Sequence, residues 1–160
     1  IGTFHSRAKF SQPVEGKVCR AIDLSATGTS DYVVLDEAVL DGRSEFSISV
    51  WAKTAKTGAQ SIVSGATSGS NNELIMWFTN ATRFRPYLQN TQNGTLPISS
   101  IAGDTWRHLV WTHGNNQSCL FIDKVPQGCL NQTTSVLSIQ SLILGQEQDS
   151  VGGRFSAAQA

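Results

Sequence analysis

The chain has 160 residues with 12 basic and 12 acidic side chains, so its formal net charge is zero. That balance, with no Lys/Arg run, argues against nucleic acid as a partner, because phosphate backbones are held by concentrated positive surface. The length suits one domain, spanning residues 1–160, that buries about two thirds of its unfolded surface and so needs no metal to fold, and its apolar runs fall far short of the roughly 20 residues that cross a bilayer.

The chain starts at Ile1 and its first ten residues carry no signal-peptide pattern, which implies a processed or excised piece of something larger. Residues 1–16 have little pattern and are expected to wrap an edge or lie loose. From there the chain reads as strands and turns. Strands are expected at Tyr32–Leu35, Phe46–Lys53, Glu73–Thr79, Arg107–His113, Ser118–Ile122 and Ser141–Leu144, all rich in β-branched and aromatic residues. Phe46, Ile48, Val50 and Ala52 alternate with Ser47, Ser49, Trp51 and Lys53, the period of two that marks a strand. Ser25–Asp31, Ser64–Asn72 and Asn90–Gly94 read as turns. No amphipathic helix, internal repeat or linker interrupts the series, so the expected fold is all-β, a two-sheet antiparallel sandwich of jelly-roll type.

Cys119 and Cys129 flank Ile122-Asp123-Lys124-Val125, which reads as a hairpin turn, and a three-residue loop would let them face each other. A disulfide between them would leave Cys19 over; three reduced thiols is the alternative. Four Asn-x-Ser/Thr tripeptides begin at Asn80, Asn93, Asn116 and Asn131, in a sequence rich enough in these residues to produce them by chance. Enzyme signatures are absent: there is no Gly-x-Ser-x-Gly and no phosphate-binding glycine loop, and His5, His108 and His113 lack metal-ligand spacing. Trp51, Trp106, Trp111 and Trp77 are expected to fill the core, and Trp77 is the one that would contact a ligand if it is instead exposed.

The chemistry concentrates in Leu144-Gly145-Gln146-Glu147-Gln148-Asp149-Ser150-Val151-Gly152-Gly153. Carboxylates, amide oxygens and backbone carbonyls in one short run suit calcium, a hard cation that takes roughly six to eight oxygens. Glu147 and Asp149 are two apart, so an extended segment projects them to one side. Gly152 and Gly153 can take the positive φ that folds such a segment back.

This run closely resembles the calcium loop of the pentraxins, and Asn71-Asn72-Glu73-Leu74-Ile75-Met76-Trp77 resembles the pentraxin segment that faces it. The resemblance covers roughly residues 17–160 and extends to the wider laminin-G-like and concanavalin-like sandwiches. It implies calcium ligands at Asn71, Asn72, Glu147, the backbone carbonyl of Gln148, Asp149 and Gln159, and an aromatic wall at Trp77. Asn71 stands where the family carries Asp, and Ser156 where it carries a further acid, so one calcium is expected, not two. The family disulfide is replaced by Ser49 and Val110. The family's closing strand after the position of Ala160 is not in this sequence, which implies either an edge left open to pairing or a partner sequence removed.

The resemblance implies a non-catalytic, calcium-dependent, extracellular or cell-surface domain that recognises a carbohydrate or another anionic or polyhydroxylated ligand. A structural module that binds another surface protein, as in laminin-G-like domains of mannose-sensitive haemagglutinin pilus biogenesis proteins, is the second expectation. A glycoside hydrolase is third, and would need a separated pair of carboxylates that Glu147-Gln148-Asp149 does not offer.

Overall fold

A computed structural model describes residues 3–5, 14–24, 32–68, 70–148 and 151. Among them the chain forms β1 (Thr3–His5), β2 (Val14–Glu15), β3 (Arg20–Ala21), β4 (Tyr32–Leu35), a 3-10 turn at Glu37–Val39, β5 (Phe46–Ala52), β6 (Gln60–Thr67) and β7 (Ser70–Asn80). There follow β8 (Arg83–Phe84), β9 (Tyr87–Leu88), β10 (Leu96–Pro97), β11 (Arg107–Gly114), β12 (Gln117–Ile122), β13 (Val125–Asn131) and β14 (Ser141–Leu144). One sheet runs β1-β4-β14-β6-β7-β8-β10, with β9 also on β7, and the second runs β13-β12-β11-β5. The expected antiparallel sandwich is the fold observed.

The core between the sheets follows from alternation. Leu74, Met76 and Phe78 of β7 and Leu142 of β14 meet Leu109 and Trp111 of β11 and Leu120 and Ile122 of β12 in one buried cluster. Trp111 is fully buried, edge-on to Phe46 at 5.0 Å between ring centroids and to Phe84 at 5.9 Å. The tryptophans do not all follow: Trp51 lies on the outer side of β5, 37% exposed and stacked on His108.

Thr3–His5 forms the edge strand of the larger sheet, paired with β4 in register Thr3 to Val34. Two expectations need correction. The Ser64–Asn72 run is not one turn: Ser64 to Thr67 belong to β6 and residues from Ser70 onward to β7. Serine and glycine are used here because both faces of β6 are covered; a Cβ on Gly65 would come within 3.1 Å of the Ile139 side chain. The hairpin after β12 turns on two residues, not three. Asp123 and Lys124 both have positive φ (50° and 71°), the two-residue turn whose twist suits a hairpin. A register shift between Leu120 and Phe121 then brings Cys119 opposite Cys129, where they are disulfide-bonded. Cys19 is free and exposed. Ser49 and Val110 also lie directly opposite each other, on β5 and β11.

A buried polar chain ties the two sheets. Gln132 donates its amide to the carbonyls of Pro86 and Thr91, which orients its Oε1 to accept from the Ser118 hydroxyl at 2.8 Å. Ser118 then needs a donor, so His113 carries its proton on Nδ1, 2.9 Å away. Burial lowers the His113 pKa from its ordinary 6.5, opposed by the Glu45 carboxylate. In the window below 6.5 the unfolded chain therefore binds more protons than the folded one, and stability falls as pH falls through it. The thermal midpoint should drop between pH 7 and pH 5, and His113→Asn, which keeps a donor near the Nδ1 position, should lose part of that slope; equal slopes would exclude His113 as a source.

The disulfide closes a separation of 10 residues. Chain entropy assigns such a loop about 2.7 kcal/mol. Cys119→Ala/Cys129→Ala should lower unfolding free energy by about that amount in denaturant titrations, and unreduced peptide maps should leave Cys19 unlinked.

Candidate functional site

The site lies on the face of the larger sheet that points away from the core, and β7 organises it. Because Leu74, Met76 and Phe78 face the core, the alternating Ile75 and Trp77 face outward. Ile75 is nonetheless 1% exposed. It pairs with Ser64 on β6, which in turn pairs with Ile143 on β14. What covers this row is the chain after β14. Gly145 N–H donates to Ile62 O at 3.0 Å, and the segment then doubles back so that Gln148 N–H donates to Ser64 Oγ at 2.9 Å. The Gln148 side chain is fully engaged: its amide donates to Ser64 O and Ser141 O at 3.0 and 2.9 Å, and its Oε1 accepts from Ser141 Oγ. Gln146, Glu147 and Gln148 are all buried.

The predicted ligands fall unevenly across this geometry. Asn72 sits on the same strand as Ile75, with φ of 55°, and its Nδ2 reaches Asn90 Oδ1 at 3.4 Å. Its Oδ1 is buried with no hydrogen-bond donor among the described residues. Such an atom costs roughly 1 to 3 kcal/mol unless a positive partner supplies what water has lost. A cation fits that atom. Gln148 offers its backbone carbonyl, as its side chain is committed elsewhere, and Glu147 brings a buried carboxylate to the same segment. Asn71 has its backbone in β7; its side chain, Asp149 and Gln159 lie outside the described residues. Among the described residues no three His, Cys, Asp or Glu side chains converge.

Trp77 is half-buried and belongs to the outward face, not to the core cluster. Two neighbours on that face escape the sequence reading. Phe84 pairs with Phe78 and Leu88 with Leu74, both pairs inside the core. The residues between keep one register: Arg85 N–H donates to Trp77 O at 2.8 Å, and Tyr87 pairs with Ile75. Arg85 and Tyr87 thus stand beside Trp77 and Ile75 on the outer face, with cross-strand Cβ atoms about 5 Å apart. Pro86 hides this, since a proline in a run argues against a strand; the remaining signal is Phe84 and Leu88 alternating with Arg85 and Tyr87.

A family model described as "Pentaxin family" matches residues 22–160. The chain belongs to the Pentaxin family. Pentraxin-4 of Homo sapiens is 25% identical over 94% of this chain and 34% of its own length. Neuronal pentraxin-2 of Cavia porcellus is 33% identical over 72% of this chain and 28% of its own. This pentaxin chain therefore spans about a third of the length of these relatives. Among solved structures, domain 4 of AbnA, a GH43 extracellular arabinanase from Geobacillus stearothermophilus in complex with arabinotriose, superposes with a TM-score of 0.65 at 17% identity, covering 89% of this chain and 72% of that one. That likeness is one of fold.

The doubled-back segment of this pentaxin rests on Gln148. Gln148→Ala removes three hydrogen bonds, one buried and two part-buried, and the expected cost is about 1 to 3 kcal/mol in unfolding free energy. Denaturant titration of the purified chain checks it, and Ser141→Ala, which removes one of the three, should cost less.

Proposed function

We propose that residues 1–160 form one non-catalytic recognition domain, extracellular or at the cell surface, that holds a single calcium ion and uses it to bind a carbohydrate or another anionic or polyhydroxylated ligand. The observation that carries this reading is Asn72 Oδ1, buried without a donor among the described residues on β7, the strand paired with β6, to whose Ser64 the 145–148 segment is anchored. Asn71, Asn72, Glu147, the Gln148 carbonyl, Asp149 and Gln159 would hold the ion. A calcium ion so held supplies a fixed positive charge and open coordination positions for ligand oxygens.

This chain's own residues do the rest. Gln148 anchors the segment to Ser64 and Ser141 so that the carbonyl keeps its position when a ligand arrives. Positive φ at Asn72 turns its amide out of the strand's ordinary alternation. Trp77 offers an apolar plane beside the segment, worth on the order of 1 kcal/mol to a stacked ring. Amide-rich coordination neutralises the ion incompletely, which favours an anionic or polyhydroxylated partner over an apolar one. The Cys119–Cys129 bond supports export, since such bonds persist in oxidising compartments.

Calcium at a hundredfold excess over its Kd should stabilise the fold by about 2.7 kcal/mol. Thermal melts in chelator and in millimolar calcium measure this, and Asn72→Leu, which fills the space without an acceptor, should abolish the shift. A glycan array run with and without calcium reads the ligand. An unmoved midpoint together with a silent array would favour the module that binds another surface protein, and sugar release would make the domain an enzyme.

A further inference from the structure

The outer face beside the 145–148 segment carries positive charge that no carboxylate among the described residues pairs with. On β8, Phe84 faces the core, so Arg83 and Arg85 on either side of it face outward. Neither forms a salt bridge among the described residues; the pairs present are Lys53 with Asp104 and Arg107 with Asp123. Arg85 is held in a defined pose. Leu96 of β10 pairs with Phe84, which places Thr95 opposite Arg85, and Arg85 Nε donates to Thr95 Oγ1 at 3.0 Å. The guanidinium plane is thus fixed by one bond through Nε, and its two terminal nitrogens make no hydrogen bond among the described residues. A planar fork pinned at its stem matches a carboxylate in bidentate fashion. Across β7 it stands directly opposite Trp77, and Tyr87 lies beside it on the same face. Two half-buried aromatic side chains and a forked cation on one sheet face are the elements that would take a flat ring bearing an acid group.

We infer that Arg85, with Trp77 and Tyr87, forms a subsite for a carboxylated sugar, a uronic acid whose ring lies against the aromatic side chains and whose carboxylate meets the guanidinium. The inference rests on the recognition reading above in taking the ligand to be a glycan, but not on the metal. Thr95 acts as a positioning residue, turning the fork toward the ligand.

The test titrates the 160-residue chain with free glucuronate and galacturonate and with their methyl esters, following the Trp77 indole and Arg85 Nε–H signals by NMR in calcium and in chelator. The expected result is that at least one acid binds about tenfold more tightly than its ester, a charge-assisted pair being roughly twice as strong as a neutral one. Arg85→Gln should erase that preference while leaving binding of the ester unchanged, and Arg85→Lys should retain part of it. Thr95→Val should weaken acid binding without altering the ester. Equal binding of acid and ester, or binding of neither, overturns the inference, as does an acid preference that survives in Arg85→Gln. If the preference persists in chelator, the subsite stands independently of the ion, and the calcium reading then stands or falls on the thermal melts; if chelator abolishes acid and ester binding alike while Arg85→Gln loses only the preference, both stand.

Discussion

The outer face depends on the register of β7, which is hydrogen-bonded along both edges. Fixing Leu74 opposite Gly65 on one side and opposite Leu88 on the other decides which side chains are committed to the core, because strand side chains alternate with a period of two. A slip of one residue would bury Trp77 and expose Met76 and Phe78, both fully buried here. Gly65 favours that register, since a Cβ there would press on the Ile139 side chain at 3.1 Å. The orientation of the outer face is therefore a consequence of core packing, and the doubled-back segment is laid on a surface whose composition the core has already chosen.

That surface is unusual in being buried while polar. Ser61, Ser64 and Gln148 are nearly inaccessible, and burying polar groups costs stability unless each finds a partner. Gln148 meets this requirement by bonding both serines that flank it on β6 and β14. The same logic governs the other end of the sandwich, where Gln132 links Ser118 to the Pro86 and Thr91 carbonyls. In both places a glutamine, long enough to bridge strands and carrying donor and acceptor together, joins segments that hydrophobic packing alone would leave free to slide. Asn72 breaks the pattern, because its Oδ1 has no such donor among the described residues.

Much of the sandwich was legible because its long strands carry clean alternation: β5, β7 and β11 lie close to their expected bounds. β6 was hidden because its small residues are chosen for close approach and not for hydrophobicity, so Ser64-Gly65-Ala66-Thr67 reads as a turn. The cysteine pairing was legible, but not its geometry, since a two-residue turn with a bulge and a three-residue loop place the same residues opposite each other. Asn72 and the 144–153 run stood out through chemistry and resemblance. Arg85 and Tyr87 did not, because their roles come from a register across Pro86 that only the paired strand reveals.

The staples of the fold have moved relative to the family pattern. Ser49 and Val110 face each other across β5 and β11 where the resemblance places a disulfide, and the bond present instead joins β12 to β13. The two locations constrain different things. A bond between β5 and β11 would close a separation of about 60 residues and restrict the unfolded chain more strongly than one spanning a local hairpin, because loop entropy grows with the logarithm of length. By chain entropy the exchange gives up about 1.6 kcal/mol. Besides its ladder to β11, β5 is held by packing, through Phe46 against Trp111 and His113 on the inner side and Trp51 against His108 on the outer. The strand is thus held by aromatic contacts whose geometry, unlike a covalent bond, can yield.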